Sequence, residues 1–282
     1  MDYDALMAFA TFAEYLNFTH AAEELHISQP ALHRKVNKLA DRLETPLYVR
    51  SGRDLMLTEE GEMLATHARE VASMTDNVLA RLDEEEAPSP VVLASGPGAF
   101  LHLLGPAILE AREGPYPLRL LTMRSPAAAK AVIEARAHVA VGVFHEGYER
   151  LEVEVWREIG QKVVVPEEHR LAGRGRLEPT DLEGEELVIA PAGQPHRVST
   201  EQVLAEHDVG WHVGVEATGW QLMMRFVTYG MGITIINDFV PVPEGLVGIP
   251  VEGFPVVDYS VATRPDTRHD GADWLRGLIT GS

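Results

Sequence analysis

All six basic side chains of residues 1–57, Arg34, Lys35, Lys38, Arg42, Arg50 and Arg53, fall in one short stretch. Guanidinium and ammonium groups gathered in this way make charge-assisted hydrogen bonds to phosphate oxygens or base edges. A second set of groups lies farther along the chain. Ser95, Gly96, Ser125, Phe144, His145, Ala192, Gly193, Gln194, Thr218 and Gly219 each follow an apolar run, where hydroxyls, amides and the free N–H groups of a helix start can hold a small polar ligand or carboxylate. Covalent chemistry finds no support. The 12 histidines show no His-Glu-x-x-His spacing, Ser95-Gly96-Pro97-Gly98 is not followed by Gly-Lys-Ser/Thr, and there is no Gly-x-Ser-x-Gly elbow. Cysteine is absent, which excludes disulfides, thiolate–zinc sites and thiol redox switching. No catalytic residue, metal or cofactor is expected.

The basic cluster needs helices to position it. Thr19 can cap a helix bearing Ala21, Ala22 and Leu25 on one face, and Ser28 can cap the next, with Gln29 and Pro30 in its first turn. In that second helix Ala31, Leu32, Val36, Leu39 and Leu43 recur at helical spacing as a buried stripe, so the basic residues point elsewhere. Two helices joined by a short turn, the second capped and basic, make a helix-turn-helix whose second helix enters a DNA major groove. An ordinary helical hairpin with a solvated charged face is the alternative. Leu6, Phe9, Ala10, Ala13 and Leu16 supply a preceding helix, and PLYVRSGRDLMLT reads as two short strands with Arg50 and Arg53 at their turn. That hairpin is a wing.

Residues 1 to about 65 resemble the DNA-binding domain of the LysR-type transcriptional regulators. The resemblance rests on FTHAAEELHISQPALHRKVNKLADRLETPLYVRSGRDLMLTEEG, with its paired alanines, Ser-Gln-Pro-Ala helix start, hydrophobic-Arg wing and Leu-Thr-x-x-Gly. It departs from the pattern at His33, at Ala40 and at Thr45-Pro46. The resemblance implies operator DNA as partner, read by Thr19, Ser28, Gln29, Pro30, Ala31, His33, Arg34, Lys35, Lys38, Arg50 and Arg53. It further implies a bacterial homodimer or homotetramer and contact with RNA polymerase.

The net charge of −19 is unevenly spread: residues 1–57 carry eight acids against six bases, and residues 58–86 nine against two. Phosphate therefore meets a local basic cluster, since charges beyond about 8 Å are screened at physiological salt. No apolar run approaches the roughly 20 residues of a membrane span, and the acidic start MDYDALM lacks signal-peptide character. A cytoplasmic protein without membrane contact is expected.

Thr58 with Gly61 opens a helix of roughly 39 Å at about 1.5 Å per residue. Gly61, Leu64, Ala68, Val71, Thr75, Val78 and Leu82 form a narrow seam, which suits a partner helix and thus dimerisation; a core helix of one domain is the alternative. DEEEAPSP at 83–90 then reads as a linker.

From Val91 strands and helices alternate, VVLAS, LRLLTM and VAVGVF forming one βαβαβ unit and KVVVP, ELVIA, WHVGVEA and ITIIN a second. The expected fold is thus α/β multidomain: a winged helix-turn-helix at 1–57, a linker helix at 58–87, and a two-lobed effector domain at 88–282 resembling periplasmic binding proteins. Lobe I takes 91–159 and 256–282, lobe II 160–255, with crossings near Gly160 and Pro255 and a small-molecule inducer in the cleft. YGMGITII carries a weaker LysR resemblance into this half. A solute-binding protein without a DNA role, or an α/β enzyme, would account for the lobes alone.

Overall fold

Asp2 caps the first helix by accepting the N–H of Asp4, and α1 (Tyr3–Tyr15) buries Leu6, Ala8, Phe9, Phe12 and Ala13. The computed structural model describes residues 2–52, 54–82, 88–144, 147–265 and 269–281, the side chains at 76–78 and 80–82 excepted. Helix α2 (Phe18–Glu24) follows, capped by Asn17, whose side chain takes the N–H groups of Thr19 and His20. Thr19 is therefore not the cap: an oxygen one residue before the helix meets the second and third N–H groups. The turn into α3 (Gln29–Leu43) passes through His26 at φ 53°. Such left-handed backbone costs an L-residue about 1 kcal/mol and reverses the chain within few residues. Leu32, Val36 and Leu39 of α3 complete a core with Phe9, Phe12, Phe18 and Leu47. Strands β1 (Tyr48–Ser51) and β2 (Asp54–Leu57) pair antiparallel as the wing.

Helix α4 (Glu59–Leu82) starts at Thr58, whose hydroxyl donates to the Pro46 carbonyl (2.7 Å) and accepts the Gly61 N–H (3.0 Å). The expected linker at 83–90 lies mostly outside the described residues.

The α/β part begins with β3 (Val91–Ser95), α5 (Pro97–His102) and α6 (Gly105–Arg112). The single helix expected over this stretch is broken in two, because Gly105 and Pro106 begin a new helix. Then come β4 (Leu118–Thr122), α7 (Ser125–Ile133), β5 (Val139–Val143) and β6 (Glu152–Ile159). Strand β3 lies between parallel partners β4 and β5.

The next elements are β7 (Gln161–Pro166), a short 3-10 turn at Pro179–Leu182, β8 (Glu186–Ile189), α8 (Pro195–Glu206), β9 (His212–Glu216), α9 (Trp220–Thr228), β10 (Thr234–Asn237) and β11 (Leu246–Val251). Strands β8 and β9 are parallel, and a parallel bridge between Leu187 and Ile233 extends them toward β10. Strand β7, by contrast, pairs antiparallel with both β10 and β11, so the second lobe is a mixed sheet. The chain closes with β12 (Val257–Thr263), which joins the first sheet in the order β4-β3-β5-β12-β6, and α10 (Asp270–Thr280).

The chain forms two compact units, Met1–Glu154 with Ser260–Ser282, and Val155–Tyr259. Their boundaries fall inside β6 and β12. Among the described residues no helix is long and apolar enough to cross a membrane.

Candidate nucleic-acid interface and ligand corners

The starts of α2 and α3 and the wing meet in one open depression of about 710 Å³, lined among others by Asn17, Thr19, Gln29, His33, Tyr48, Arg50 and Asp54. Gln29, Pro30, His33, Arg34 and Lys38 are exposed on α3, while Ala31 is half-buried. Ser28 holds the backbone cap position of α3, yet its hydroxyl makes no cap hydrogen bond. Lys35 turns from the other cations to pair with Asp4 of α1, a surface contact worth at most about 1 kcal/mol. Arg53 lies outside the described residues. Asn37 and Tyr48, which the sequence reading passed over, hydrogen-bond to each other and to the ring of His33. Burial pushes the pKa of the Tyr48 hydroxyl above its ordinary value, and the hydroxyl donates to Asn37 Oδ1.

Along α4 the expected seam divides. Gly61 and Ala65 are buried and Leu64 packs against the winged core, while Ala68 is fully enclosed by its own chain. Ala68 thus has no surface to offer a partner helix, which corrects its place in the seam. Val71 and Thr75 instead join Met74 and Leu79 around an open apolar recess of about 350 Å³. The side chains of Val78 and Leu82 lie outside the described set. On another side of α4, Arg69 donates to the carbonyl of Glu134 at the end of α7 (2.8 Å), and Glu70 pairs with Arg264.

Ser95, Gly96, Ser125 and Phe144 lie at the carboxyl ends of β3, β4 and β5 in the first unit. Ser95 is fully buried and donates to the Val141 carbonyl (2.7 Å), so its hydroxyl joins β3 to β5 and is closed to ligand. Ser125 makes no helix-cap bond either; its oxygen accepts the N–H of Val143 (3.1 Å), which leaves its own proton to donate. Gly142 makes room for it, since a Cβ there would stand 2.5 Å from the Ser125 oxygen. Phe144 packs edge-on against Tyr148, and His145 lies outside the described residues.

In the second unit Ala192, Gly193 and Gln194 precede α8, with Gly193 at φ 79° and Gln194 in the cap position without a side-chain cap bond. Thr218 is exposed and does not cap α9; Gly219 does, at φ 92°. Two residues beyond Gln194, burial pushes the pKa of His196 down to about 4, and its Nε2 has no hydrogen-bond partner among the described residues.

Comparison with known proteins agrees with this layout. Residues 3–62 match the bacterial regulatory helix-turn-helix protein family named for lysR, and residues 75–281 the LysR substrate binding domain. The transcriptional regulator CatR of Pseudomonas putida is 30% identical over 84% of this chain and 82% of its own. The RuBisCO operon transcriptional regulator of Allochromatium vinosum is 26% identical over 89% and 85%. Among solved structures, a full-length OxyR variant from Pseudomonas aeruginosa superposes with a TM-score of 0.76 at 19% identity, covering 99% of this chain and 94% of that one. CbnR gives 0.59 at 18% identity over 99% and 100%. A solute-binding protein or an enzyme would leave the helix-turn-helix match unexplained. The chain therefore belongs to the LysR family and is a ligand-responsive transcriptional regulator.

Proposed function

We propose that the depression between α2, α3 and the wing is the operator-binding surface, with Gln29, His33, Arg34, Lys38 and Arg50 toward the DNA. The observation that carries this reading is the convergence of two helix starts and a wing arginine on one open concavity. Arg34→Ala is expected to weaken operator binding by about 1–3 kcal/mol if the guanidinium reads a base, and evenly across sequences if it meets only phosphate. Fluorescence anisotropy with duplexes enriched by the chain from a random pool measures this. Unchanged affinity would remove α3 from the interface.

The chain acts as a cytoplasmic homodimer joined through the Val71–Leu79 face of α4, which assembles further into a tetramer and contacts RNA polymerase at its promoters. A small inducer binds at the carboxyl ends of the strands, where Ser125 has a proton to donate. Ser125→Ala removes that donor and leaves the Val143 N–H without its partner, at a stability cost of about 1 kcal/mol. The variant should melt slightly earlier, bind operator as the parent does, and lose the thermal shift that a metabolite hit gives the parent. An undiminished shift would place the inducer away from this corner.

A further inference from the structure

His33, Asn37 and Tyr48 close a ring of hydrogen bonds between α3 and the wing. The Tyr48 hydroxyl donates its only proton to Asn37 Oδ1 (3.2 Å). Its oxygen can then meet His33 Nε2 (3.4 Å) only as an acceptor, so that nitrogen carries the imidazole proton. His33 Nδ1 is left bare and accepts from Asn37 Nδ2 (3.1 Å). All three contacts are satisfied together in one direction and by one neutral tautomer.

The ring is backed by aromatic packing. Phe18 lies 4.9 Å from His33 and 5.4 Å from Tyr48 between centroids, and Phe12 meets Tyr48 edge-on at 5.2 Å. Both ring nitrogens of His33 are thus spent inside the protein although the side chain is exposed. Tyr48 and Arg50, two apart on β1, share a strand face and line the same depression as His33.

We propose that His33 is a positioning residue: through Asn37 and Tyr48 it fixes the distance between the recognition helix and the wing's Arg50, and this spacing discriminates operator from other DNA. The proposal rests on the operator-binding reading above. Contacts to phosphate hold any duplex, whereas contacts to base edges and to a particular groove width depend on how helix and wing are spaced. Opening the ring therefore weakens discrimination more than it weakens binding.

The test uses the full-length chain, a duplex it enriches from a random pool, and a shuffled duplex of equal composition. Tyr48→Phe keeps the packing on Phe12 and Phe18 and deletes only the hydroxyl; Asn37→Ala opens the ring at another corner. Each should lower the enriched-to-shuffled affinity ratio by about tenfold, the scale of one mismatched base pair. The double variant should lose no more than either single one, because a ring is opened once. Nitrogen-15 spectra of the parent should show His33 protonated at Nε2 alone. A parental ratio in both single variants, additive losses in the double, or a proton on Nδ1 would overturn the proposal. Arg34→Ala separates the two readings: if it weakens binding while Tyr48→Phe retains the parental ratio, only the ring proposal fails; if it too binds as the parent does, the interface itself is misplaced.

Discussion

Gly61→Ala is expected to unseat the linker helix from the winged domain. A Cβ at this position would stand 1.9 Å from the carbonyl oxygen of Leu47 and 2.9 Å from its carbon. These are backbone atoms of a residue that is itself buried in the winged core, so neither can swing aside as a side-chain tip would. Relief requires α4 to lift, which also breaks the bonds of the Thr58 hydroxyl to the Pro46 carbonyl and of the Thr58 N–H to the Leu47 carbonyl. Overpacking against rigid surroundings costs about 1–3 kcal/mol, and the lost bonds add about 1 kcal/mol each. For a domain of this size 1 kcal/mol moves Tm by about 4–8 °C, so a drop of more than about 10 °C should appear in thermal unfolding. Parental Tm and parental operator affinity together would mean that α4 does not cross the Leu47 backbone this closely.

Val71→Glu is expected to split the dimer. Val71, Met74, Thr75 and Leu79 offer an apolar recess on a helix whose first turn already holds Glu59, Glu60 and Glu62. Among the described residues none lining this recess is cationic, and burying an unpaired carboxylate in such a seam costs several kcal/mol. A loss of about 3 kcal/mol raises the dimer dissociation constant by roughly 150-fold, well within reach of sedimentation. Thr75→Ala, which keeps the recess apolar, should leave the mass unchanged. A dimer of parental strength in the Val71→Glu variant would place the interface elsewhere.

Much of the DNA-binding half was legible because local signals and packing agree there. The apolar stripe of α3 and the two short wing strands follow directly from spacing and turn chemistry. What escaped was contact between distant residues. Nothing in helical periodicity announces that Asn37 and Tyr48, 11 positions apart, share a hydrogen bond, or that Gly61 is small because Leu47 lies beneath it. Ala68 fits a dimer seam as well as it fits its own core, since spacing identifies an apolar face but not what covers it.

In the second half β6 was passed over although Glu152-Val153-Glu154-Val155 alternates polar and apolar residues, and the structure leaves both valines exposed. Strand β11 lies behind proline and glycine and is fixed by its pairing with β7 and by a parallel bridge between Val251 and Leu177. The ligand corners were found by rule, from strand ends, and the rule could not tell a hydroxyl already occupied, as in Ser95, from one with a proton to give, as in Ser125.

Helix α4 is fastened at two stations. At Gly61 it lies against the Leu47 backbone, and at Arg69 and Glu70 it is tied to Glu134 and Arg264 of the first α/β lobe. About eight residues of helix separate the stations, roughly 12 Å along the axis. Over that distance an α-helix is stiff in torsion, so it behaves as a drive shaft and not as a tether. The angular phase of the recognition helix about this shaft is then set by residue count alone, at about 100° per residue. One residue added or removed between the stations would turn the DNA-reading face by more than a quarter of a revolution while leaving every contact within the winged domain intact.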